Sequence, residues 1–155
     1  MDCALQLDGI YDYISTPYVL NPSEAPFSVY GWIKGGAPGQ VVISQTGTPW
    51  GANWLCADST EGNLKTELTS PGRTGKPMHS QTNITDGNWH QIGFVWDGFS
   101  RTLYVDDIAV AQDTQDRLGN SDSGLYIGCG KALEPGTYWS GLIDDVRIYN
   151  RVVTP

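Results

Sequence analysis

Two adjacent carboxylates, Asp144 and Asp145, interrupt a run that otherwise reads as a strand, "GLIDDVRIYNR" at 141–151. Asp is depleted in strands, and a buried carboxylate costs several kcal/mol unless a hydrogen bond or a cation compensates it. Strict alternation from Leu142 puts Asp144 with Val146 and Ile148, and Asp145 with Ile143, Arg147 and Tyr149. Asp145 and Arg147 are then an ion pair on a mixed face. Asp144 points toward the core, where it needs backbone N–H donors, an Arg or a hard cation such as Ca²⁺.

Other reactive residues are few. The two histidines carry no metal signature, since neither His-x-x-x-His nor Cys-x-x-Cys occurs. His90, in "NWHQIG", shares strand parity with Ile92, Phe94 and Trp96 and reads as a satisfied structural side chain. His79, in "GKPMHSQ", lies in a looser region from which it can reach a ligand. Cys3, Cys56 and Cys129 are an odd set in apolar surroundings, read first as small buried thiols and second as one disulfide plus a free thiol. No nucleophile motif surrounds any of them.

Aromatic residues offer binding chemistry. "TPWGANWLCAD" places Trp50 and Trp54 beside a Gly-rich turn with Asn53 and Asp58 close by. "EPGTYWSG" places Tyr138 and Trp139 after another turn. Sugars stack their C–H faces on such rings, while Asn and Asp take their hydroxyls. Each ring also has a packing role open to it. Trp32, Trp89 and Trp96 lie mid-strand and are assigned to the core.

These residues must be positioned by strands. The 155 residues suffice for one domain with a sizeable core, and 19 Gly and 9 Pro fit many tight turns. Helical periodicity is nearly absent. Alternating runs predict strands near 3–7, 11–15, 27–34, 40–45, 53–57, 64–69, 77–81, 89–96, 102–106, 108–112, 125–128 and 139–149. Asp106-Asp107 is the two-residue turn of a hairpin, although Asp tolerates positive φ less well than Asn or Gly. About a dozen short antiparallel strands imply an all-β, two-sheet sandwich or jelly roll, a single domain over 1–155.

The totals exclude some partners. Nine basic residues against seventeen acidic ones give a charge of −8, which argues against nucleic acid and anionic membranes. No apolar run approaches the ~18 residues of a membrane-spanning helix. The start, "MDCALQLDGI", lacks the basic flank and apolar core of a signal peptide.

Taken in order, "ALQLDGIYDYI", "FSVYGWIK", "DGNWHQIGFVWDG", "RTLYVDDIAVA", "LYIG" and "WSGLIDDVRIYNRVVT" resemble the laminin G-like, concanavalin A-like lectin/glucanase domains over nearly the whole chain. The resemblance implies a jelly roll and a structural Ca²⁺. Its ligands would be Asp144 from the last strand and Asp8 from the "LDG" region, with backbone carbonyls completing the shell. Asp8 has a plainer role open to it, as a turn carboxylate capping local amides. The resemblance also implies a carbohydrate or extracellular glycoprotein partner and an extracellular or cell-surface setting.

Glucanases of that superfamily use a Glu-x-Asp-x-x-Glu strand. The four glutamates here, Glu24, Glu61, Glu67 and Glu134, include no pair at that spacing. The expectation is therefore a non-catalytic, lectin-like module that uses Trp50, Trp54, Asn53, Asp58, His79, Tyr138 and Trp139. A laminin G-type adhesion module is the alternative, and a glycoside hydrolase-like enzyme the less favoured one.

Overall fold

A computed structural model describes residues 3–47, 51–72 and 75–155. Twelve strands occur in the expected order: β1 (Leu5–Asp8), β2 (Ile14–Tyr18), β3 (Phe27–Gly35), β4 (Val41–Gln45), β5 (Ala52–Ala57), β6 (Asn63–Thr66), β7 (Met78–Asn83), β8 (His90–Trp96), β9 (Ser100–Val105), β10 (Ile108–Thr114), β11 (Gly124–Ile127) and β12 (Ser140–Tyr149). They form two antiparallel sheets of six. The first runs β1-β12-β3-β8-β9-β10 and the second β2-β11-β4-β5-β6-β7. The all-β sandwich is as the alternation pattern implies. Pro17, which cannot donate to a ladder, lies in β2 at an edge of the second sheet.

The core lies between the sheets. Phe27, Val29 and Ile33 of β3 and Ile92, Phe94 and Trp96 of β8 face Trp54, Leu55 and Leu64 from the second sheet. Phe27 is the central contact, with its ring centroid 5.3 Å from Trp54 and 5.7 Å from Phe94. Trp32 and Trp89 correct the sequence assignment. Both are only half-buried, because Trp32 alternates outward from Ile33 and Trp89 precedes the first residue of β8.

β12 departs from strict alternation. Asp144 pairs with Trp32 and Arg147 with Tyr30, so three steps on β12 oppose two on β3. The extra residue is a β-bulge at Asp145, which adopts φ 50°. Before the bulge Ile143 points inward; after it, Val146 and Ile148 do. Asp144 therefore belongs to the outer face, and its expected place among Val146 and Ile148 is corrected. Its Oδ1 accepts the Asp145 amide at 2.7 Å, which is the hydrogen-bonded alternative. Asp145 pairs with Arg147 at 2.8 Å, as its spacing indicates.

Among the described residues one charge is wholly buried. Arg101 on β9 has no solvent exposure. Its Nε donates to Asp113 Oδ1 at 2.8 Å, its Nη2 to Asp113 Oδ2, and its Nη1 to the Leu68 carbonyl at 2.6 Å. Gln115 Oε1 takes the Ser70 amide and the Thr69 hydroxyl, so the segment after β6 is fastened to β9 and its flank. Removing one partner of a buried pair leaves an uncompensated charge, which costs ~3–5 kcal/mol. Asp113 is partly exposed, so Asp113→Ala should lower stability by about 2–4 kcal/mol in urea unfolding. A double variant with Arg101→Met should recover part of that loss.

Candidate functional site

The outer face of the second sheet is where side chains gather. Across four strands, Val41, Cys56, Lys65 and His79 pair in one row. In "NLKTELT" Leu64 and Leu68 turn into the core, so Lys65 and Glu67 turn outward. The Glu67 amide donates to the Asn53 carbonyl, which sets these two residues side by side.

A strap, residues 128–139 between β11 and β12, lies over this face. It is pinned through Gly128 N to Val42 O (2.7 Å), Ser44 Oγ to Cys129 O (2.8 Å) and Val41 N to Thr137 O (2.8 Å), and its two ends are joined by Trp139 N to Gly128 O (2.9 Å). Asn53 ties strap to sheet. Its Oδ1 accepts the Lys131 amide at 3.0 Å, and its Nδ2 donates to Glu67 Oε1 at 3.2 Å. Lys65 Nζ meets Glu67 Oε2 at 2.8 Å, and Lys131 Nζ donates to the Gly51 carbonyl at 3.0 Å. Partial burial would lower the Lys65 pKa, but Glu67 outweighs it and holds the ammonium above its ordinary value.

The result is a cleft of about 270 Å³ lined by Asn53, Lys65, Glu67, Lys131 and Glu134 over a floor of Val41 and Cys56. Burial pushes the Cys56 thiol up to about 12, so the floor holds a neutral thiol and no nucleophile. Cys129 is likewise free and buried, its thiol pushed by burial up to about 11, whereas Cys3 is exposed.

Of the residues marked by sequence, Asn53 alone lines this cleft. Trp50 lies outside the described residues. Trp54 and Trp139 are fully buried, which removes them as sugar platforms. Trp54 fills the space between the sheets, and Trp139 packs on Gly36, where a Cβ would come within 2.3 Å of its ring. Tyr138 is nearly buried and supports the strap, its hydroxyl 3.4 Å from the Leu133 carbonyl. Asp58 is a turn cap. Burial would raise its pKa, but amides led by those of Glu61, Thr60 and Gly62 outweigh this and hold it at about 2. His79 is exposed beside Lys65 and does not line the cleft. Lys65, Glu67, Lys131 and Glu134 were missed. Alternation in "NLKTELT" could have found the first two; nothing local marks the others.

The two carboxylates named for Ca²⁺ do not converge. Asp8 pairs with Ser140, four residues from Asp144 and so about 13 Å along β12. Asp8 Oδ1 accepts the amides of Ile10, Tyr11 and Asp12 at 2.9–3.1 Å, and these bonds, that of Ile10 foremost, lower its pKa. Among the described residues no three His, Cys, Asp or Glu side chains gather as a metal cradle. The residues present do not fit a shared Asp8–Asp144 ion.

The profile of the concanavalin A-like lectin/glucanases superfamily, laminin G type, matches residues 8–155. The chain belongs to this superfamily. No curated protein matches it. Solved structures with the same fold include domain 4 of an extracellular GH43 arabinanase from Geobacillus stearothermophilus in complex with arabinotriose. That match has a TM-score of 0.75 and 19% identity, over 97% of this chain and 72% of the other. Mouse laminin α1 domains LG4-5 match at TM-score 0.66 and 11% identity, over 94% and 41%. Trypanosoma rangeli sialidase in complex with sialic acid matches at 0.69 and 15%, over 97% and 26%. This superfamily chain thus spans less than half of the laminin and sialidase chains, and these identities speak for fold alone.

His90 is the satisfied structural residue expected of it. Its Nδ1 lies 2.7 Å from Asp106 Oδ2 and its Nε2 2.8 Å from Asp86 Oδ1. Ionised carboxylates only accept, so the two contacts favour the imidazolium form, in which both ring nitrogens donate. Burial would lower its pKa, but the two aspartates outweigh it and raise the value. Asp106 and Asp107 adopt φ 52° and 71°, and Asp106 Oδ1 also takes the Gln91 amide. A raised His pKa stabilises fully below the unfolded value of ~6.5 and is lost as pH rises through the folded value. The Asp86 pKa is lowered, first by the Asn88 amide and then by His90, and its contribution is lost as pH falls. The stability gap between wild type and His90→Gln should therefore be widest between about pH 4 and 6.5. It should narrow at higher pH, as read from urea midpoints across a pH series.

Proposed function

We propose that this protein is a non-catalytic carbohydrate-binding module that holds its ligand in the cleft between β5, β6 and the 128–139 strap. The observation that carries the reading is the fixed polar set of Asn53, Lys65, Glu67 and Lys131 around an apolar floor. Hydroxyl groups both donate and accept, and this set offers both in positions held by the backbone. Specific small-molecule sites fix their ligand through a few placed polar groups of this kind; here they outnumber the apolar residues of the floor. The sugar-bound arabinanase domain of the same fold supports the substrate class.

A hydrolase reading is less well supported. A glycosidase needs one carboxyl ready to give a proton and another to attack or activate water. Both Glu67 oxygens are already occupied, by Asn53 and by Lys65. Adhesion is favoured by a different observation. Ile10, Tyr11, Ile14 and Tyr18 are exposed apolar side chains on and before edge strand β2, outside the residues that line the cleft.

The test is a glycan array followed by calorimetry. Wild type should bind at least one neutral oligosaccharide without degrading it. Glu67→Gln should weaken that binding about tenfold or more, the value of a hydrogen bond to a charged group, ~1.5–3 kcal/mol. Asn53→Ala should weaken it similarly. Binding that survives both substitutions in folded protein would move the site elsewhere.

A further inference from the structure

A second cleft, about 280 Å³, lies beside the first and is lined by Gly51, Ala52, Leu68, Thr69, Pro77 and Gly119. Glu67 and Lys131 line both clefts, so the two are halves of one trough. Either half alone falls below the range of ~300–1,000 Å³ usual for ligand sites; joined, at roughly 550 Å³, they fall within it.

The charges along the trough cancel. Lys65 is spent on Glu67, and Lys131 on the Gly51 carbonyl. Among the described residues the carboxylates of Glu67 and Glu134 match the two lysines in number, and no Arg lines either half. Recognition of an acidic sugar favours an available cation, best a bidentate guanidinium. The chain's charge of −8 further disfavours an anion.

We infer that the trough binds a run of at least two linked, uncharged sugar rings laid across Glu67 and Lys131, rather than a single or acidic sugar. This rests on the carbohydrate-binding reading and narrows it. The two halves have walls of different origin. One is bounded by the strap and the Ser59 turn. The other is bounded by the segment that Arg101 and Gln115 fasten to the opposite sheet. A ring in the first half meets Asn53 and Lys65; its neighbour in the second half meets Leu68, Thr69 and Pro77. Glu67, at the junction, has one acceptor site left on each oxygen beyond its bonds to Asn53 and Lys65, and can take a hydroxyl from either ring.

Calorimetry with arabino-, xylo-, cello- and malto-oligosaccharides of one to five units tests this, with sialyllactose as the acidic probe. For whichever series binds, affinity should rise tenfold or more between one unit and three, then level off. Ser59→Trp and Pro77→Trp place bulk at exposed positions in opposite halves. Each should weaken trisaccharide binding at least fivefold while leaving Tm near that of wild type. The inference is overturned if a monosaccharide binds as tightly as the trisaccharide, if only one of the two variants matters, or if sialyllactose binds more tightly than every neutral series. In those cases carbohydrate binding itself still stands. If the folded protein binds no saccharide at all, the broader reading fails and this one with it.

Discussion

Arg101 is the interaction on which the two halves of the molecule depend. A guanidinium without solvent contact is tolerable only with its donors matched, and here they are shared between a carboxylate on β10 and a carbonyl from the segment after β6. The first partner belongs to the same sheet, the second to the opposite one. Dispersion and apolar burial would hold the sheets together in many relative positions. The directional bonds of Arg101 select one along this edge, and so fix the wall of the trough formed by Leu68 and Thr69.

The strap applies the same logic on the outer face. A connection crossing a sheet carries backbone groups that need partners. Asn53 supplies one, its Oδ1 accepting the Lys131 amide, and its Nδ2 donates one of its two hydrogens to Glu67. The side chain that holds the strap down therefore also orients the carboxylate in the cleft. Rigidity of the wall and placement of the polar group are one hydrogen-bond network, which makes the site pre-organised rather than assembled on binding.

Much of the fold was legible in the sequence because alternation reports burial directly. All twelve strands occur where the pattern put them, within about three residues at either end. The same rule failed at Asp145, where one inserted residue with positive φ reverses parity for the rest of β12. A bulge of this kind leaves no signature when the residue is Asp rather than Gly. The site was less legible. Trp54 and Trp139 lie beside turns, where exposure is common, yet the space between the sheets and the bare surface of Gly36 took them inward. Glu67 and Lys131 are 64 residues apart and come to line one cleft through the strap, and no local pattern encodes that placement.

The position of β12 carries a consequence for how the chain folds. It lies between β1 and β3, so the last strand made is an inner one of the first sheet. β1 has β12 as its ladder partner, with Leu5 opposite Ile143. Until β12 arrives, β1 has nothing to pair with, and the inner face of β3 is flanked on one side only. Closing so long a loop carries a large entropic cost before any contact repays it, so this sheet forms late and slowly. On the ribosome the second sheet can assemble first from β4 to β7, while β3 waits with an open edge. A nascent chain carrying this domain is thus most vulnerable to strand-edge association until β12 emerges.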